Sequence, residues 1–357
     1  MTEAFFSPDY STARDRFREA AGTAGATLHS LDLTPRGPAG EALSIDIAWF
    51  GATQPRSAFV HTTGMHGVEA YTGSAVQLAL LDELPRLSGD AALILVHVLN
   101  PYGMSWLRRT NDNNVDLNRN HLVDGEAFSG APPLYATLDP LLNPRSPPSR
   151  DAFGLRAGTA VLRHGFSRVK QAVAEGQYEF PRGLFFGGKA LQEGPRKYMD
   201  WLREHVGACN YVFAVDLHTG LGRHATDTVL PDLQASRMDD LSAALNRTLI
   251  DRSQETVAYT VRGGLGSALP RVLAQSRVDF LLQEIGTYGP FRVLHALREE
   301  NRWHFHGDGT LAHPAKSNLR EALCPAAIHW RRQALAHGVR LARDAVAFAF
   351  DARRHAM

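Results

Sequence analysis

Four short segments of this chain carry residues whose types and spacing suit chemistry at a metal ion. In His61-Thr-Thr-Gly-Met-His66-Gly-Val-Glu69, His66 and Glu69 stand three residues apart at the junction of an apolar run and a helical pattern. A turn there points both side chains at one centre. In Ala214-Val-Asp216-Leu-His218-Thr-Gly220, a histidine leaves a buried strand into a glycine-containing turn, and Asp216 shares its strand face, placed to orient a ligand. In Leu281-Leu-Gln-Glu284-Ile-Gly-Thr-Tyr288-Gly-Pro, Glu284 lies near the end of an apolar run, where a carboxylate is costly unless it is paired or close to a metal. His66, Glu69 and His218 form a three-ligand set for one zinc with an open position. A further glutamate beside such an ion is the usual proton acceptor in metal-assisted hydrolysis, and Glu284 is the candidate. A lone His-x-x-Glu says little in a chain with 16 histidines; the weight comes from the company it keeps. His61 and His97 fall inside strand patterns and read as core histidines.

The remaining segment runs from Asn100-Pro-Tyr-Gly through Arg108-Arg109 to Val115-Asp116-Leu-Asn118-Arg119-Asn120. Guanidinium offers planar paired donors to a carboxylate and stabilises the oxyanion of an attacked carbonyl. The plainer reading is a solvated polar loop with salt bridges.

These residues need strand ends to hold them. Residues 42–50, 57–61, 92–99, 211–217 and 278–285 read as strands, and 256–261 is strand-like; apolar runs such as Ala92–Leu99 are expected of strands buried on both faces. Helical patterns cover 12–22, 69–84, 153–174, 190–206, 236–249, 266–274, 290–302 and 319–350, and residues 100–150 read mostly as loop. Alternation of this kind predicts an α/β three-layer sandwich, a twisted, mostly parallel mixed sheet between helices. In such sheets ligands bind beyond the carboxyl ends of the strands, where all four segments lie. A single domain over 1–357 is expected, with an excursion at about 121–207 that contains the proline-rich stretch 131–149.

Bulk properties exclude more than they assert. The chain has 357 residues and a formal net charge of +1, which gives no case for nucleic acid or an anionic membrane as partner. The two cysteines, Cys209 and Cys324, read as buried thiols. The N-terminal segment lacks a basic region followed by an apolar stretch, and no run approaches the length of a membrane span, so a soluble cytoplasmic protein is expected. Homo-oligomer formation stays open.

Taken in order, HGVE, NPYG…RR…VDLNRN, DLHTG and QEIGTYG resemble the motifs of the M14 zinc carboxypeptidase superfamily. They look closest to its DUF2817 branch, with aspartoacylase and succinylglutamate desuccinylase as more distant cousins. The resemblance runs from about residue 8 to at least 305. It implies a zinc carboxypeptidase-like fold and one zinc per chain on His66, Glu69 and His218. It further implies Glu284 as general base, Arg109 or its neighbour Arg108 polarising the scissile carbonyl, and Asn118 with Arg119 holding a substrate carboxylate. A substrate-binding tyrosine of the family has no motif here; Tyr259 and Tyr288 lie in roughly the right regions. The excursion at 121–207, with Gly183-Leu-Phe-Phe-Gly-Gly188, has no clear counterpart. The implied activity is zinc-dependent hydrolysis of an amide, by a carboxypeptidase-like peptidase acting on a substrate with a free carboxylate. The alternatives are an N-acyl amino acid deacylase and a zinc-binding protein without turnover. A small arginine-lined pocket beside the metal would favour a single amino acid as leaving group, and an open groove longer peptides.

Overall fold

A computed structural model describes residues 2–350 apart from 85, 86, 88, 123, 124, 233, 234, 248 and 250–260. The strands are β1 (Thr27–Arg36), β2 (Ala42–Gly51), β3 (Ser57–Thr63), β4 (Ala91–His97), β5 (Tyr211–Gly220), β6 (Asp227–Asp232) and β7 (Arg277–Gly286). They form a sheet of seven strands in the order β1-β2-β4-β3-β5-β7-β6. The four central strands β4, β3, β5 and β7 run parallel, and β2, β1 and β6 join antiparallel at the flanks. The fold is therefore mixed α/β with a parallel core, as the alternation predicts.

The helices are α1 (Tyr10–Thr23), α2 (Ala70–Leu81), α3 (Pro101–Ser105), α4 (Pro133–Leu142), α5 (Phe153–His164), α6 (Phe166–Ala174), α7 (Glu193–His205), α8 (Ala235–Ala244), α9 (Leu265–Val272), α10 (Pro290–His306), α11 (Pro314–Leu323) and α12 (Ile328–Ala349). Strand alternation splits the core in two. Phe59, Leu93, Leu95, Phe213 and Val215 face α1, α2 and α12. Val60, Ile94, Val96, Val212 and Ala214 face the side of α7 and α9. Burial on both faces explains why these strands read as unbroken apolar runs. A third cluster gathers Tyr135, Leu138, Phe153, Val173 and Phe185 with Leu297 and Leu319, joining α4–α6 to α10 and α11.

Several elements depart from the sequence expectation. β1 is an edge strand, half exposed and laced with Asp32, His29 and Arg36, so it lacks a strong apolar signal. β6 carries Pro231, which only an edge strand tolerates. The region 100–150 holds α3 and α4, both opened by proline at a first helical position. The helix expected over 153–174 breaks at Gly165, whose φ of 82° lies in the left-handed region, and the last helix is interrupted between Leu323 and Ile328. The strand expected at 256–261 lies, but for Val261, outside the described residues, as does Tyr259.

Candidate metal centre

The first ligand pair sits on the turn after β3. His66 is extended, and a single 3-10 turn, Gly67–Glu69, opens α2. Glycine is required at 67: a Cβ there would stand 2.2 Å from the Gly103 Cα. That close approach lets the Gly67 and Val68 N–H groups donate to the Arg109 and Arg108 carbonyls, at 3.1 and 3.0 Å. The double-arginine segment thus clamps the ligand loop through its backbone. His218 comes from the end of β5, next to β3 in the sheet.

His66, Glu69 and His218 are all buried, with ligand atoms within 4.8 Å of one another. His66 Nδ1 lies 2.9 Å from a Glu69 oxygen and 3.1 Å from His218 Nδ1, and His218 Nδ1 lies 3.3 Å from the other Glu69 oxygen. The outer nitrogens are spoken for. His66 Nε2 meets Asp116 at 3.1 Å and His218 Nε2 meets Asp216 at 2.7 Å. Carboxylates only accept, so each Nε2 carries the proton and donates it. Both Nδ1 lone pairs then point at each other and at a carboxylate, an arrangement that needs a cation between them. The field favours one: burial opposes charge on His218, yet Asp216 and Glu69 outweigh it and hold its pKa well above that of ordinary histidine. Glu69 and Asp116 are held well below the usual carboxylate range despite burial, Glu69 by His66 and His218, Asp116 by Arg109 and Arg119. Ligands about 2.0–2.1 Å from a tetrahedral zinc stand roughly 3.3 Å apart, close to the separations here. The donor set fits a single zinc.

Asp116 is the orienting residue that sequence reasoning missed. Its signal was available: a charged residue between Val115 and Leu117, both buried. Thr62 fixes Asp216 through a 2.7 Å hydroxyl bond, and the Thr219 N–H holds Glu69 at 3.0 Å. Asp116→Asn should weaken zinc binding about 10–100-fold, the usual cost of losing a ligand's outer partner. Competition with a chromophoric chelator measures this, and an unchanged affinity would remove Asp116 from the role.

Glu284 pairs with His218 across β5 and β7 and lies on the wall of the cavity beside the triad. Burial pushes its carboxyl up to about 7, against the pull of His218 and with Glu69 adding to the rise. Arg109 lies on the same wall, tied to Asp116 at 3.0 Å and to Glu69 at 3.2 Å. Asn118 lines the cavity too.

The other candidates lie elsewhere. Arg108 is buried against Glu300 and Asn114, at 3.0 and 2.9 Å, away from the cavity wall. Arg119 is fully buried; its Nε donates to the Ala174 carbonyl and one terminal nitrogen to the Asn118 carbonyl, both at 3.0 Å. It braces α6 against the loop and does not line the cavity. Tyr288 donates to Glu321 and stacks on Arg292, also off the wall.

The cavity, of about 270 Å³, has one arginine, Arg109, among its described lining residues and is not an open polar groove. Its walls are overwhelmingly apolar and come from α4, α5, α6 and α10 with Phe185. The excursion at 121–207 therefore builds this wall together with α10.

Fold and centre together define a class: a mixed α/β protein with a buried His-Glu-His triad at the carboxyl ends of its parallel strands. Within it, the chain belongs to the family described as a protein of unknown function, DUF2817, whose pattern matches residues 6–337. Among solved structures it is similar to a putative metallopeptidase from Shewanella baltica OS155, at 14% identity over 83% of this chain and 91% of that one, with a TM-score of 0.45. It is also similar to carboxypeptidase A from Helicoverpa armigera, at 15% identity over 92% and 73% with a TM-score of 0.47. A third likeness is to murein-tripeptide amidase MpaA from Escherichia coli O157, at 16% identity over 79% and 96% with a TM-score of 0.39. These likenesses say nothing of activity. No curated protein matches the chain. Among the described residues, no helix is long and apolar enough to cross a membrane.

Proposed function

We propose that this chain is a zinc-dependent amide hydrolase. The observation that carries the reading is the placement of Glu284, a buried carboxyl opposite His218 in the sheet and on the wall of the cavity that His66 and Glu69 also line. Zinc, when bound, supplies Lewis acidity that polarises a carbonyl and makes water easier to deprotonate. Glu284 takes the proton from the attacking water, whose oxygen adds to the amide carbonyl carbon. The same proton passes to the leaving nitrogen as the C–N bond breaks, giving a carboxylic acid and an amine, which part at neutral pH as carboxylate and ammonium. Arg109 offers its guanidinium to the negative charge growing on the carbonyl oxygen.

Two substrate classes share this chemistry. Cleavage of an N-acyl amino acid is favoured over trimming of a peptide C-terminus by the apolar lining of the cavity among the described residues, which offers few partners to the N–H and C=O groups of a peptide. The test compares N-acyl amino acids with unblocked peptides, with and without a chelator. Hydrolysis that survives complete zinc removal would sink the metal reading, and turnover of peptides alone would return the function to a carboxypeptidase. Arg119→Ala should lower stability by about 3–5 kcal/mol, as expected when a buried charge network loses a partner. The rate ratio between a free-acid substrate and its amide should stay the same. A ratio that collapses towards one in the variant would restore Arg119 as the carboxylate clamp.

A further inference from the structure

Much of the cavity wall has no part in the hydrolysis just described. The wall begins at His66, Glu69 and Glu284 and continues along α5, α6 and α10. Leu141, Phe153, Val169, Val173 and Leu294 supply it, and Ala160 leaves room where a larger side chain would fill it. Phe166 and Phe291 belong to the same wall yet are 52% and 48% exposed, so the cavity reaches solvent at these rings. Beyond the ligands and Glu284, the charged groups on the described wall are Arg109 and Lys170. Arg109 is engaged by Glu69 and Asp116. Lys170 belongs to α6, and burial lowers its pKa.

A peptide threaded here would bring an N–H and a C=O with every residue. An amide buried without a partner is costly, and among the described residues this wall has few polar groups to offer. A hydrocarbon chain brings no such groups and gains from each methylene withdrawn from water.

We infer that the cavity is a chain site: the acyl group of the substrate is a long aliphatic chain, lying between α5, α6 and α10 with its carbonyl at the triad. The inference rests on the amide-hydrolase reading for the position of the carbonyl and on the wall for the chain. The product of such a cleavage is a free fatty acid, and the reaction class that supplies the substrate is N-acylation of an amine by a long-chain acyl donor.

Calorimetric titration of n-alkanoates of increasing length into the protein, with zinc and after zinc removal, tests it. Affinity should rise about fourfold per added methylene in both states, then level off when the cavity is full. Ala160→Trp, checked for folding by its thermal transition, should make the series level off at a shorter chain. A series that is flat in the wild type overturns the proposal. So does a rising series for n-alkylamines beside flat alkanoates, which would put the chain on the leaving side. Failure of the underlying reading looks different: N-acyl amino acids of every length would remain uncleaved while the alkanoate series still rose.

Discussion

Glu284→Gln is expected to keep stoichiometric zinc and lose about 10²–10⁴ of kcat, the range that general-base groups contribute. Glutamine fills nearly the same space, so the wall of the cavity and the pairing of β5 with β7 survive. It cannot take a proton from water. The expected signature is therefore a split: zinc content and thermal transition intact, KM little changed, kcat collapsed. Loss of zinc together with activity would instead make Glu284 part of the ligand set. A kcat within about threefold of the wild type would mean that another group removes the proton.

The centre was legible because its residues sit where strand ends deliver them. His66, His218 and Glu284 follow or end apolar runs, and the sheet places β3, β5 and β7 side by side in parallel. The triad converges because neighbouring parallel strands end together. What could not be read was direction within the arginine-rich loop. Arg108 and Arg109 are adjacent in sequence, yet one joins Glu300 in the interior and the other faces Glu69. By type Arg119 suits a carboxylate clamp, but the fold engages it with the Ala174 carbonyl of α6, the Asn118 carbonyl beside it and, at 3.9 Å, Asp116. Those contacts depend on how the excursion folds back, and local pattern carries no record of that. The same long-range docking hid the cavity: α5 buries Phe153 but leaves Leu155 and Leu162 76% and 90% exposed, so its apolar residues do not mark a single core face.

The second large effect concerns the metal itself. Removing zinc with a chelator should lower the thermal transition, and His66→Ala should abolish both the bound zinc and the response to chelator. Without an ion, two Nδ1 atoms 3.1 Å apart and a buried carboxylate share one small volume, and Asp116 and Asp216 fix the imidazoles so that they cannot turn away. The metal-free protein must accept a proton on one imidazole or separate the β3 turn from the end of β5. Zinc that binds only the folded state stabilises it by mass action, about 4.1 kcal/mol at a free concentration 1,000 times its Kd. His66→Ala removes one ligand and leaves Asp116 facing a void, but it also relieves the crowding. Its transition should therefore fall to about that of the chelated wild type and stay there whether or not zinc is added. Elemental analysis and paired melting curves decide it. A His66→Ala protein that still holds one zinc, or a wild type whose transition ignores the chelator after its zinc has gone, would refute the assignment of this triad as the metal centre.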